Sequence, residues 1–175
     1  MRIEEIFNNC EFIGSLVGTE AVNIKIPIIG SAFNKSTFLY INNIPSQKMN
    51  TEIFLRIEKS VNILLNLSSE LQENIWEELW DKYIWTCEES EPFEILKTED
   101  VKSANIRYYG IDDLNSLKMV TELSTVDTSI NQDDEDEFSQ NDVYLNLNFR
   151  ADWIGDGFMQ IKINSDKILN SVLYQ

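Results

Sequence analysis

The chain has 175 residues, 43% of them hydrophobic, and its 30 acidic side chains against 14 basic ones give a formal net charge of −16. This length and apolar content predict one folded domain over residues 1–175 and exclude a disordered acidic tail. The chain contains no histidine, so a catalytic mechanism would have to use carboxylates, lysine or tyrosine.

The two cysteines and the N-terminal residues bear on the location of the protein. Cys10 and Cys87 lie far apart and fit no metal-binding or redox spacing, which indicates reduced, buried thiols. Glu4 and Glu5 stand where a signal peptide requires cations, and no segment approaches the roughly 20 apolar residues of a membrane span. We expect a cytoplasmic protein that does not associate with membranes.

The first half of the chain predicts strands followed by two helices. Residues 21–26 alternate apolar with polar side chains, and residues 36–41 are mostly β-branched or aromatic, as in strands. Over residues 50–67, and again over 71–83, apolar side chains recur every three or four positions, which is the helical period. Ser68 or the serine after it can cap the second helix, so a helical hairpin is predicted.

The second half predicts one more strand, a loop and a closing meander. Residues 104–109 (ANIRYY) have the composition of a strand. Residues 124–141 are polar, acidic and nearly free of large apolar groups, so we expect a mobile acidic surface loop there. Alternation over 143–150, a turn with glycines, and apolar runs over 158–163 and 168–174 predict a three-stranded meander.

Together these elements predict the fold class α+β, with a mainly antiparallel sheet, a helical hairpin packed on one face and a C-terminal β-meander. In the aromatic-rich helical segment IWEELWDKYIW and in the closing hairpin, where Trp153 precedes Asp156 and Gly157, the chain resembles a poorly characterised bacterial α+β family. Members of that family often sit beside polymorphic, contact-dependent toxins and are thought to include immunity proteins. The resemblance covers residues 50–85 and 143–175 and implies a toxin as the partner. The histidine of the family hairpin is absent here.

Two acidic features of the sequence favour a basic partner. Four carboxylates of the second predicted helix are spaced three or four residues apart and share one face, opposite the apolar stripe. They are Glu70, Glu73, Glu77 and Asp81. The predicted loop contains a run of five acids, at Asp133, Asp134, Glu135, Asp136 and Glu137. Both features are compatible with a solvated surface and with a docking surface for a basic protein.

Other ligand classes find little support in the sequence. Oxygen ligands suit calcium, but no register of the five-acid run supplies both the glycine and the glutamate of an EF-hand loop. We therefore expect no metal and no cofactor. The 14 cations form no cluster, which disfavours nucleic-acid binding because phosphate neutralisation needs grouped lysines and arginines.

Trp153 and Asp156 lie at the turn that contains Gly155 and Gly157. Glycines allow close backbone approach and tryptophan offers a stacking surface, so the turn is a candidate binding site. A hairpin with glycines at positive φ and the Trp153 ring folded back on the sheet explains the same residues and is the interpretation we favour. Both Trp153 and Asp156 are kept as candidate partner-binding residues.

These observations predict a non-catalytic immunity protein that binds and neutralises a basic cognate toxin, such as a nuclease, through an acidic surface. Two alternatives stay open at this point. One is a carboxylate-based hydrolase, which needs two carboxyl groups about 5–10 Å apart and a raised pKa. The other is an acidic adaptor or regulator. A cleft would favour the enzyme, and a convex or flat acidic surface would favour a binding protein.

Overall fold

The computed structural model describes residues 11–13, 21–29, 33, 36–45, 51–129 and 143–174. The strands are β1 (Glu11–Ile13), β2 (Ala21–Ile29), β3 (Ser36–Pro45), β4 (Glu122–Ser129), β5 (Leu145–Arg150), β6 (Phe158–Ile163) and β7 (Ile168–Tyr174). The helices are α1 (Thr51–Leu65), α2 (Ser69–Glu89), α3 (Val101–Tyr109) and α4 (Leu114–Val120). A 3-10 turn at Asp152–Ile154 joins β5 to β6.

The seven described strands form one sheet in which the spatial order follows the chain order from β1 to β7. Every neighbouring pair is antiparallel except β3 and β4, which run parallel. A parallel pair requires a crossover connection, and helices α1 to α4, which lie between β3 and β4, supply it. The predicted α+β class is confirmed, and so is the closing meander, which β5, β6 and β7 form.

One face of the sheet carries the core. Leu39, Val126, Leu147 and Ile161 pair directly across four strands, and all four are fully buried. Apolar side chains of α1 and α2 pack onto this row in the same hydrophobic cluster. Because burying one such side chain stabilises the fold by about 1.5–3 kcal/mol, this face holds the helical hairpin firmly against the sheet.

The opposite face of the sheet is polar. Tyr40, Asp127, Asn146 and Lys162 pair across the same four strands. The Asp127 carboxylate accepts hydrogen bonds from the side-chain amides of Asn146 at 2.9 Å and Asn148 at 2.8 Å. These bonds satisfy the partly buried polar groups of the central strands, so the sheet presents its helices on one side and a hydrogen-bonded polar surface on the other.

The predicted loop at residues 124–141 is wrong for residues 124–129, which belong to β4. Leu123 and Val126 are buried on the core face, while Asp127 obtains its hydrogen bonds from β5. A sparse apolar pattern is enough for a strand when both neighbours provide backbone and side-chain partners. Residues 130–142, with the run of five acids, lie outside the described residues.

The strand predicted at residues 104–109 is also wrong, because this segment lies in helix α3. The helix begins after Asp100, whose carboxylate accepts a hydrogen bond from the Ser103 N–H at 2.7 Å, and it ends at Gly110 with φ +67°. Buried Asn105 donates to the carbonyls of Cys87 and Ser90 at 2.9 Å and so ties α3 to the end of α2. The Asp100 cap, the helix end at Gly110 and the Asn105 contact together outweigh the strand preference of the two adjacent tyrosines.

The N-terminal caps of α3 and α4 predict a pH dependence of stability. Hydrogen bonds from backbone N–H groups lower the pKa of Asp100 and of Asp113, which caps α4. A carboxyl group with a lowered folded pKa adds stability above its unfolded pKa and loses that contribution as the pH falls through the folded value. We expect Asp100→Ala and Asp113→Ala to be destabilising at about pH 7, with a smaller deficit below about pH 4. Urea midpoints at both pH values measure this, and a deficit that does not change with pH contradicts it.

Candidate partner-binding surface

The solvent-facing side of α2 carries four acids on one helical face. The helix begins after Ser68, whose hydroxyl accepts a hydrogen bond from the Leu71 N–H at 3.1 Å. A buried stripe then fixes the helix on the core through Leu71, Ile75, Leu79, Tyr83, Thr86 and Cys87. On the other side all four predicted acids are exposed. We call Glu70, Glu73, Glu77 and Asp81 the acid row, and at 1.5 Å per residue it is about 16 Å long.

The acid row has no counterion among the described residues, where no ion pair or hydrogen bond involves its carboxylates. Two other acids of α2 do have partners. Glu78 accepts a hydrogen bond from the Ser171 hydroxyl, and Glu88 pairs with the Lys102 ammonium at 2.8 Å. Like charges three and four residues apart repel by a few tenths of a kcal/mol per pair. An external cation can relieve that repulsion.

A groove lies at the C-terminal end of the acid row. Its volume is about 430 Å³, and it is lined by Asp81, Lys82 and Trp85 of α2 and by residues 171–173 of β7. Trp85 is 52% exposed, although tryptophan is an expensive side chain to leave in water. Trp85 follows Asp81 by one helical turn, so the groove joins an exposed aromatic ring to the acid row.

A second apolar surface lies where the segment after α2 meets α3. Phe93 is 87% exposed and stacks on Tyr108, which is 61% exposed, with ring centroids 6.0 Å apart. Arg107 holds the segment in place through two hydrogen bonds to the Glu99 carboxylate, both at 3.0 Å, and one to the carbonyl of Glu94. Grouped exposed aromatic side chains are typical of protein interfaces.

Trp153 is not available to a partner, so its assignment as a partner-binding residue is wrong. It is 2% exposed, its ring packs edge-on against Tyr83 at 5.6 Å, and its indole N–H donates to the Thr121 hydroxyl at 3.3 Å. The 3-10 turn and Gly155, with φ +72°, fold the ring back onto the core. The Trp153 ring is therefore folded back, as in the interpretation of this turn that we favoured from the sequence.

The remaining predicted positions are spread over the chain. Asp156 is exposed on the turn before β6, and Asp133 to Glu137 lie outside the described residues. The acid row is thus the part of the predicted site that the structure assembles on one surface. Trp85 is not among the predicted site residues, and the signal that could have found it is its position one helical turn after Asp81.

The pKa shifts of several ionisable groups outside the acid row follow from their contacts within the fold. Hydrogen bonds from Arg107 and from backbone N–H groups lower the pKa of Glu99, Asp100 and Asp113, which stay ionised at neutral pH. Burial raises the pKa of Tyr83 and of Cys87, so both are neutral core groups. No set of three or more cysteine, aspartate or glutamate side chains in the described segments is arranged to hold a metal ion.

Comparison of the chain with protein-family models, with curated proteins and with solved structures finds no match. Within the described residues, no helix combines the length and the apolar character needed to cross a membrane. The acid row and the groove with Trp85 form the candidate partner-binding surface of the described residues.

Proposed function

We propose that this protein is a non-catalytic binding protein that captures a basic protein partner through the acid row. In its most concrete form it is an immunity protein that blocks a cognate toxin, such as a nuclease. The observation that carries this proposal is the acid row itself. Its four carboxylates are exposed and have no counterion in the described residues, on a helix whose opposite face is fixed in the core.

Binding proceeds in two physical stages. At long range the excess of 16 negative charges attracts a cationic protein and orients it toward the most acidic surface. At short range the acid row pairs with lysines and arginines of the partner, and the exposed ring of Trp85 buries apolar surface against it. Trp85 takes the anchoring role for which the buried Trp153 is unsuited. The five acids at 133–137 add to the attraction.

A toxin is the favoured partner for two reasons. The sequence resembles, over residues 50–85 and 143–175, a family thought to include immunity proteins. A row of carboxylates also imitates the regular negative charges of a nucleic-acid backbone, so it is complementary to the basic cleft of a nuclease. Because the acid row lies on the outward side of a helix, it fits a cleft in the partner better than it forms one.

The proposal is tested with the product of the gene immediately upstream. We expect a long secreted protein with a basic C-terminal domain, and we expect that purified domain to bind this chain. The association rate constant, measured by stopped flow, should fall by about one to three decades as the salt is raised toward about 1 M.

Two results would contradict parts of the proposal. An association rate that does not depend on salt removes the electrostatic steering, even if the complex forms. An upstream product without a basic domain, or a basic domain that does not bind this chain, removes the immunity function.

A further inference from the structure

Strand β7 is an edge of the sheet as far as the structure describes it, because β6 is its single partner there. Its seven residues, Ile168–Tyr174, include no charged side chain and no proline. Natural edge strands usually carry lysine, proline or a bulge, since a bare edge is a template for another strand. The irregularity in β7 falls at Leu169, between the pairs formed by Ile168 and Asn170, and leaves residues 170–174 regular.

A backbone donor of β7 is already directed away from the sheet. The Ser171 N–H donates to the side-chain oxygen of Asn170 at 2.9 Å. Paired residues of an antiparallel ladder either exchange hydrogen bonds with each other or point their backbone groups outward. A donor that is held by the neighbouring side chain belongs to the outward class. A strand added to β7 would replace the Asn170 side-chain oxygen with one of its own carbonyls at this donor.

The groove described above runs beside this edge. Residues 171–173 form one side of it, while Asp81, Lys82 and Trp85 form the other. A further strand in a sheet lies about 4.8 Å from its neighbour, so a strand added to β7 would place its helix-side residues between Leu173 and Trp85. Asp81, the C-terminal carboxylate of the acid row, also lines this groove.

We propose that β7 is the docking edge for an extended cationic segment of the partner, which joins the sheet as an eighth strand. This inference rests on the proposed function and adds the mode of binding. Main-chain hydrogen bonds to β7 hold the segment. Its apolar side chains enter the groove against Trp85. Its lysines or arginines pair with the acid row, starting at Asp81 and continuing toward Glu70.

Charge complementarity selects this occupant over a second copy of the chain. Two copies joined through β7 would bring their acid rows and two net charges of −16 together, which opposes association. A cationic segment meets the same surface with the opposite sign. The groove also offers an apolar ring, Trp85, next to the Asp81 carboxylate, which suits a strand whose apolar and basic residues are two positions apart and so share one face.

Three synthetic peptides of about ten residues test the mode of binding. The first repeats valine-serine-lysine-serine, so that its valines and lysines share one face of the strand. The second is the same peptide with a methyl group on every backbone nitrogen, and the third has serine in place of lysine. We expect the first to bind and to protect β7 amides from hydrogen exchange, as followed by NMR. The methylated peptide keeps the charge but has no backbone donors, so it should bind about tenfold more weakly or worse.

Two variants of the protein test whether the peptide binds at β7. Leu173→Lys puts a cation into the groove and should abolish protection of β7 by the first peptide, because an inward charge blocks an added strand. Ser165→Lys adds the same charge in the exposed turn before β7 and should leave peptide binding unchanged. Circular dichroism of both variants shows whether the fold is retained, and the methylated peptide tests the inference without any mutation.

The outcomes separate this inference from the proposed function. Equal binding of the first two peptides without protection of β7 overturns the docking edge but leaves the acid row as a binding surface. No binding by the first peptide, or dimers of the free chain with β7 already protected, also overturns it. Equal binding of the serine peptide at β7 overturns the cationic occupant of this edge, whereas the salt dependence of association with the upstream domain still tests the proposed function.

Discussion

Replacing Trp153 with alanine is expected to lower the free energy of unfolding by about 3–5 kcal/mol. The ring is among the largest fully buried side chains of the described residues, so its removal leaves a cavity that the surrounding strands cannot fill. It also removes the edge-on contact with Tyr83 and leaves the Thr121 hydroxyl without its indole donor. Urea denaturation followed by far-UV circular dichroism measures the loss, which is a large fraction of the roughly 5–15 kcal/mol stability of a typical domain.

Trp85→Ala is the matched control for Trp153→Ala. It deletes the same side chain from the same protein, but from a position that is about half exposed, so we expect a change within about 0.5 kcal/mol. The control also separates folding from binding, because Trp85→Ala should weaken the complex with the partner while Trp153→Ala acts on the fold. Similar losses of stability in both variants would contradict the larger contribution of the buried Trp153 ring to the fold.

The second large effect is expected in binding. Glu73→Lys combined with Glu77→Lys reverses the centre of the acid row and should weaken the complex with the basic partner by roughly 2–5 kcal/mol, a factor of about 30 to several thousand in Kd. The loss comes from replacing two attractions by two repulsions where the partner's cations are desolvated. Isothermal titration calorimetry with the upstream toxin domain gives the affinity.

The same double variant should keep or slightly increase the stability of the free protein. The new lysines at 73 and 77 stand three and four residues from Glu70 and Asp81, so repulsive pairs become attractive ones worth a few tenths of a kcal/mol each. A large drop in Tm would mean that the row contributes to the fold, contrary to its exposure and to its lack of ion pairs with other described residues.

A charge-matched control separates the acid row from net charge. Asp152→Lys with Asp166→Lys makes the same change in total charge at exposed positions in the turns on either side of β6. Both double variants should slow association to a similar degree, since steering depends on the overall field. The row variant alone should also speed dissociation. If the two variants bind equally well, the acid row is a solvated helix face and the interface lies elsewhere.

The sequence was most informative where one periodic signal extended over many residues. The stripe from Leu71 to Tyr83 predicted α2, its Ser68 cap and the outward direction of the acid row, because helical geometry links all of these to one repeat. Strand alternation after residue 143 predicted the meander for the same reason. In both segments the local pattern and the tertiary contacts favour the same structure.

Tertiary structure decided the rest, because the competing local signals were weak or of equal strength. Residues 124–129 became a strand when β5 supplied amide partners for Asp127, and residues 104–109 became a helix when Asn105 found carbonyls at the end of α2. The glycine turn indicated that the Trp153 ring folds back, whereas the packing of α2 decided that Trp85 stays half exposed. Composition determined that the protein is acidic and lacks histidine. The packing of α2 beside β7 determined that, within the described residues, one surface combines the edge strand, an aromatic ring and a row of carboxylates.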